Sequence, residues 1–153
     1  EYFEEKKDKK RLVDICKASC TLPILCPITY VDGIPMVDGG VCDAIPIRRA
    51  IADGFSKNVI ILTRNKGYRK EEKDFYLPGF IYNKYPAIRK QLRLRYRRYN
   101  EVLDYIDQLE AEGKAFVIRP QSPIKVGRTG SDTKKLEDLY EEGYECGKQI
   151  TQL

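Results

Sequence analysis

Residues Ile28 to Pro46 read Ile-Thr-Tyr-Val-Asp-Gly-Ile-Pro-Met-Val-Asp-Gly-Gly-Val-Cys-Asp-Ala-Ile-Pro, and the two Asp-Gly steps in this stretch organise the chain around them. The first, Asp32-Gly33, lies between the β-prone runs Ile28 to Val31 and Ile34 to Val37. Both residue types tolerate positive φ, so the step predicts a two-residue hairpin turn, and geometry alone accounts for Asp32. The second, Asp38-Gly39-Gly40, ends the returning strand and precedes a helix start near Pro46. It sets a carboxylate on a turn with few side chains, just past a strand end, where reactive groups are often held.

Working outward, Glu1 to Arg11 is dense in charge, after which Leu12, Val13 and Cys16 fall on one helical face, as in the tail of an element that begins upstream. Pro23 and Pro27 forbid a continuous helix into the hairpin. Beyond the second turn, Pro46 suits a first helical position, Ile47, Ala50 and Ile51 form an inward face, and Gly54 ends a short helix. Asn58 to Arg64 contains Val-Ile-Ile-Leu, the pattern of a strand covered on both faces of a parallel sheet, and Ala115 to Ile118 has the same character. A loop from Asn65 to about Tyr85 and a helical pattern from Ala87 to Glu112 lie between them, giving a strand, crossover helix and parallel strand.

That long helix carries Ile88, Leu92, Tyr96, Tyr99, Leu103 and Ile106 on its inward face. Lys84, Arg89, Lys90, Arg93, Arg95, Arg97 and Arg98 crowd its start, and Glu101, Asp104, Asp107, Glu110 and Glu112 its end. This order opposes the helix dipole at about 0.3–1 kcal/mol per exposed terminal charge, so another requirement maintains it. A last helix follows Gly130-Ser131-Asp132, with Leu136, Leu139, Tyr140, Gly143, Gly147 and Ile150 on its apolar face. Its two glycines predict close approach to another backbone.

With 153 residues the chain suits one domain with a real core, and no internal repeat or low-complexity linker divides it. A net charge of +5, from 28 basic and 23 acidic residues, favours anionic partners without requiring nucleic acid. Cys16, Cys20, Cys26, Cys42 and Cys146 are odd in number and follow no secretory segment, which points to free thiols in a reducing compartment and small buried hydrophobes. The first four are separated by three, five and fifteen residues, without a Cys-x-x-Cys pair or any histidine, so no metal site is expected. No apolar run is long enough to span a bilayer. The expected location is cytoplasmic, with at most peripheral membrane contact.

Ala18-Ser19-Cys20-Thr21-Leu22-Pro23, Val37-Asp38-Gly39-Gly40-Val41 running into Ile45-Pro46-Ile47 and Ala50, and the strand ending Leu62-Thr63-Arg64 together resemble the C-terminal half of bacterial patatin-like phospholipases. Val117-Ile118-Arg119-Pro120 and the segment Lys135 to Tyr144 fit the same resemblance. It implies an α/β fold with a small, mainly parallel sheet flanked by helices, the C-terminal part of a patatin-like three-layer architecture. Residues 1–64 would complete the catalytic domain, and residues 65–153 would form an extension packed on it. It further implies a cofactor-free serine esterase that hydrolyses acyl esters of lipids and phospholipids through a Ser-Asp dyad. Asp38 matches the catalytic aspartate of that pattern, and Gly39 and Gly40 the glycines that support it. A carboxylate bonded to a serine hydroxyl can orient it and take its proton as it attacks the ester. With an ordinary pKa of about 3.9 an aspartate is a weak base, so the site must assist it.

The resemblance also implies a G-x-S-x-G elbow and a glycine-rich oxyanion loop, and neither occurs in this sequence: Ser19, Ser56, Ser122 and Ser131 all lack the two flanking glycines. With the non-Met start and the short first helix, this predicts a C-terminal fragment of a larger hydrolase that holds one member of the dyad and is inactive alone.

A different class of function comes from Tyr82 to Asn100, where basic residues interleave with Tyr82, Tyr85, Tyr96 and Tyr99. Such a segment can grip phosphates, and with Phe75, Tyr76, Leu77, Phe80 and Ile81 before it, it can also touch an anionic lipid surface. Tyr96 and Tyr99 belong to the inward stripe and the acidic helix end repels a phosphate backbone, so no nucleic acid is expected. The alternative to the hydrolase reading is therefore a non-catalytic binding or regulatory module. Half of an α/β sheet would expose a strand edge and apolar surface, which self-association could cover.

Overall fold

A computed structural model describes residues 1–72, 81–127 and 131–148. The chain forms two compact units, one of Glu1–Ile45 with Glu71–Glu101 and the other of Pro46–Lys70 with Val102–Leu153.

In the first unit, α1 (Lys9–Ser19) begins at Asp8, whose side chain accepts from the backbone N–H groups of Lys10 and Arg11 at 2.9 and 3.0 Å. Such a cap is worth about 1 kcal/mol, and the Asp8 carboxylate at the N-terminus and Lys17 in the last turn suit the helix dipole, although Lys9, Lys10 and Arg11 in the first turn oppose it. Ala18 is the buried residue of this helix, whereas Leu12 and Cys16 are exposed and Val13 is 50% exposed.

The predicted hairpin is present. β1 (Thr29–Val31) pairs antiparallel with β2 (Ile34–Met36), Thr29 opposite Met36 and Val31 opposite Ile34. Asp32 and Gly33 take φ of +52° and +77°, the two positive values that a turn matching the twist of its strands requires. Arg11 crosses from α1 to Asp32 at 2.7 Å, so the turn is also held by its side chain.

In the second unit, α2 (Ile47–Ala52) leads into β3 (Asn58–Ile61), which pairs parallel with β4 (Ala115–Ile118) in the register Asn58 opposite Ala115 and Ile61 opposite Ile118. Their chain connection runs through α3 (Pro86–Ala111), whose residues 102–111 belong to this unit and bury Leu103, Ile106 and Leu109. The strand–helix–parallel strand expectation holds. Coverage of β3 on both faces does not: Ile60 is buried, but Val59 is exposed and Ile61 is 71% exposed, because a sheet of two strands has one packed side here.

The chain is thus mixed α/β, with two two-stranded sheets among the described residues, one antiparallel and one parallel. This replaces the expected mainly parallel sheet, because the Asp32-Gly33 turn closes β1 and β2 onto each other and leaves a single pair of strands for the crossover to join.

The reversed charge order of α3 acquires a cause at its acidic end. Arg69 bonds Asp104 at 2.5 Å and lies 3.4 Å from Asp107, Lys66 reaches Glu110 at 3.3 Å, and Arg119 also meets this cluster. Tertiary cations thus offset a placement the dipole disfavours.

α4 (Thr133–Gly147) is capped by Asp132 on Lys135 N–H, as expected for Ser131-Asp132; Gly130 and Ile150 of its predicted pattern lie outside the described residues. Cys146 is buried, but Leu136 is exposed and Tyr140 is 68% exposed. A Cβ built on Gly143 or Gly147 meets nothing within 4 Å, so the expected backbone approach at these glycines is absent among the described residues. Four of the five thiols, Cys16, Cys20, Cys26 and Cys42, are exposed rather than buried as small hydrophobes.

Candidate active site

The second Asp-Gly step becomes a single 3-10 turn, Gly39–Val41, with Asp38 at its head. Two bonds fix the backbone there: Asp38 N–H donates to the Thr21 carbonyl at 2.8 Å, and Val41 N–H donates to the Asp38 carbonyl at 3.0 Å. Val41 is buried and anchors the far end of the turn.

The Asp38 carboxylate is half-buried, and its Oδ1 accepts the Gly40 N–H at 2.6 Å. Its Oδ2 accepts no hydrogen bond among the described residues. One oxygen is therefore tied to the backbone while the other is left to receive a donor, the arrangement a carboxylate needs to orient a hydroxyl.

Gly40 keeps the space beside that carboxylate open. A Cβ on Gly40 would lie 3.0 Å from Asp38 Oδ1, closer than side-chain carbons normally approach, and 4.0 Å from Arg95 Nη2. A Cβ on Gly39 would meet Ser19 Oγ at 3.9 Å, an ordinary contact. The expected side-chain-poor turn thus finds its reason at Gly40 in particular.

Thr21 is the hub beneath the turn. It is buried, and its hydroxyl donates to the Lys17 carbonyl at 2.8 Å. With its one proton committed, the 2.7 Å bond to Thr29 must be donated by the Thr29 hydroxyl. Thr21 therefore links the end of α1, the start of β1 and, through its carbonyl, Asp38. Nothing in the local pattern singles it out, because its partners come from three separate segments.

Arg95, from the part of α3 in the same unit, donates from Nε to the Gly40 carbonyl at 3.0 Å. In the sequence it is one of the basic residues at the helix start, and the structure separates it from them. Lys90, Arg93 and Arg97 are exposed and, at helical spacing, share one stripe on the side of α3 away from Arg95. Arg98 turns to Gln91 within the helix.

The other carboxylates of the opening stretch take structural places. Asp43 accepts from the Tyr2 hydroxyl, Asp32 pairs with Arg11, and Asp53 pairs with Arg49 at 2.8 Å. Among the described residues no three His, Cys, Asp or Glu side chains converge on one point that could hold a metal ion. No described helix is long and apolar enough to cross a membrane. Of the apolar loop residues predicted to touch lipid, Phe75, Tyr76, Leu77 and Phe80 lie outside the described residues.

Comparison with known proteins places two family models on the chain. Residues 1–51, which include the whole Asp38 turn, match a patatin-like phospholipase model, and residues 85–152 match a domain of unknown function, DUF6363. The uncharacterized protein YjjU of Escherichia coli (strain K12) is 23% identical over 149 residues, covering 92% of this chain and 40% of that protein. The chain thus spans about two fifths of the length of the curated relative it matches. No solved structure matches. The N-terminal third, with its Asp-Gly-Gly turn, is therefore similar to the patatin-like phospholipases, a family of lipid acyl hydrolases.

Proposed function

We propose that this chain supplies the aspartate of a Ser-Asp dyad in a lipid acyl hydrolase, with Asp38 in that role. The observation that carries the reading is the state of its carboxylate: Oδ1 is tied to the Gly40 N–H at 2.6 Å and Oδ2 accepts no hydrogen bond among the described residues, on a turn lying within the patatin-like match. In the proposed reaction Oδ2 accepts the hydroxyl proton of a serine as its oxygen attacks the ester carbonyl. The alcohol leaves with a proton, an acyl-serine forms, and water then releases the fatty acid. The serine is none of Ser19, Ser56, Ser122 or Ser131, since none sits in a G-x-S-x-G elbow, so it comes from outside these 153 residues. On this reading the chain is the C-terminal part of a three-layer hydrolase, with residues 1–64 completing its catalytic domain and residues 65–153 packed on it as an extension.

Hydrolysis of a short-chain p-nitrophenyl ester tests the proposal. The complete gene product is expected to cleave it, Asp38→Asn to lose at least about a hundredfold in kcat, and residues 1–153 alone to be inactive. Full activity in Asp38→Asn sinks the dyad.

A second reading is favoured by the exposed stripe of Lys90, Arg93 and Arg97. It presents three cations on one helix face and suits peripheral contact with an anionic membrane, where each is worth about 1 kcal/mol near the surface. Co-sedimentation with vesicles rich in anionic lipid, lost in the triple Gln variant at unchanged fold, tests it. Binding to oligonucleotides instead of vesicles would reverse it.

A further inference from the structure

We infer that Arg95 is a positioning residue for the Asp38 carboxylate, so that the helix of the segment matching the domain of unknown function buttresses the turn in the patatin-like segment. The inference rests on the catalytic reading of Asp38 above.

The geometry is a two-bond relay. Arg95 Nε donates to the Gly40 carbonyl at 3.0 Å, and the Gly40 N–H donates to Asp38 Oδ1 at 2.6 Å. Gly40 is thus gripped on both sides, by the helix through its carbonyl and by the carboxylate through its amide. The grip matters because the residue is glycine. Without a side chain its backbone samples more of φ/ψ space than any other residue, and a turn carrying two glycines would let the carboxylate wander. The glycine cannot simply be replaced by a stiffer residue, because a Cβ there would stand 3.0 Å from Asp38 Oδ1. The turn's own backbone bonds leave the Gly40 carbonyl to an outside donor, and a charge-assisted bond from a long helix adds rigidity there.

Arg95 suits this role better than its neighbours do. It is half-buried, whereas Lys90, Arg93 and Arg97 are exposed, and Arg98 is spent on Gln91. Its guanidinium and the Asp38 carboxylate also flank one point, the place a Gly40 side chain would fill, at 4.0 and 3.0 Å. The guanidinium thus acts on the carboxylate through the Gly40 backbone, with no direct Arg95–Asp38 ion pair among the described residues.

The test compares Arg95→Met, which keeps the stem and removes the donor, with Arg95→Lys, which keeps a donor, both in the complete gene product. For an uncharged p-nitrophenyl ester, Arg95→Met is expected to lower kcat by about tenfold or more with KM unchanged, because a misplaced catalytic group costs turnover rather than binding. Arg95→Lys should recover most of the loss. In the same variants, exchange of the Gly40 amide, followed with nitrogen-15 glycine, should speed up by about tenfold in Met, the factor for one lost hydrogen bond, and return in Lys. Unchanged Gly40 exchange in Arg95→Met overturns the buttress whatever the activity. Unchanged kcat, or a raised KM confined to anionic esters, overturns positioning and makes Arg95 a surface or substrate contact. Full activity in Asp38→Asn overturns the dyad itself and with it the catalytic part of the inference, while the exchange result still decides the buttress.

Discussion

Arg119 and Asp107 are joined at 2.9 Å, and the other guanidinium nitrogen of Arg119 reaches Glu110 at 2.5 Å, so one cation just past β4 closes on two carboxylates a helical turn apart on α3. Its side chain is only 10% exposed. The bonds lock the parallel pair to the helix that joins its strands.

Breaking this clamp should destabilise the second unit. Arg119→Met removes the only described partner that holds both carboxylates and leaves them half-buried, for an expected cost of about 1–3 kcal/mol. Arg69→Met removes a more exposed cation from the same cluster and should cost under about 1 kcal/mol. Denaturant melts of the two variants measure the difference, and equal losses would contradict the burial argument.

The glycines of the Asp38 turn should respond unequally to alanine. Gly40→Ala drives a methyl to 3.0 Å from the carboxylate and is expected to lower esterase kcat of the complete gene product by about tenfold or more. Gly39→Ala makes an ordinary contact at 3.9 Å with Ser19 and should stay within about threefold of wild type. A reversed order would show that the space at Gly40 is not what the site requires.

Acid should weaken the N-terminal side of the hairpin. Backbone N–H groups of Asp8 and Lys7, and then Arg11, hold the Glu5 carboxyl down to about 2, and Arg11 holds Asp32 below its ordinary value. Since both folded values are depressed, the stabilisation is complete above the ordinary carboxylate range. It is lost as pH falls through that range toward 2. Carbon-13 titration of the carboxyls in Arg11→Met should return Asp32 to its normal range and leave Glu5 depressed, because the largest contribution to Glu5 is backbone. Equal recovery of both would refute that ranking.

Thiol reagents should separate the cysteines. Cys16, Cys20, Cys26 and Cys42 are exposed and are expected to react with an aromatic disulfide in the folded protein, whereas buried Cys146 should react only on unfolding. Fewer than four rapid thiols would indicate cover that the chain alone does not provide.

What could be read from the sequence follows the range of the interaction involved. The hairpin was legible because its cause, two residues able to take positive φ, lies within two positions. β3, β4 and α3 were legible from runs and periodicity. The inward face of α4 was not, because Leu136 and Tyr140 have the right spacing but no described partner to cover them. Arg95 stood among seven basic residues without distinction, since its bond to Gly40 crosses to a distant segment. Thr21 was hidden for the same reason.

The parallel register of Asn58 with Ala115 bears on the order in which the chain can fold. The hairpin closes across two residues, and such a local pairing can be sampled in roughly 1–10 µs although it is marginal until the unit packs on it. The pairing of β3 with β4 must instead wait until the whole of α3 has been spanned, and each strand is too short to persist alone. The turn that carries Asp38 lies just beyond the fast hairpin, but Arg95 belongs to the slow crossover. Sequence separation alone then sets the local turn ahead of the bond from Arg95 to Gly40, which closes across 55 residues.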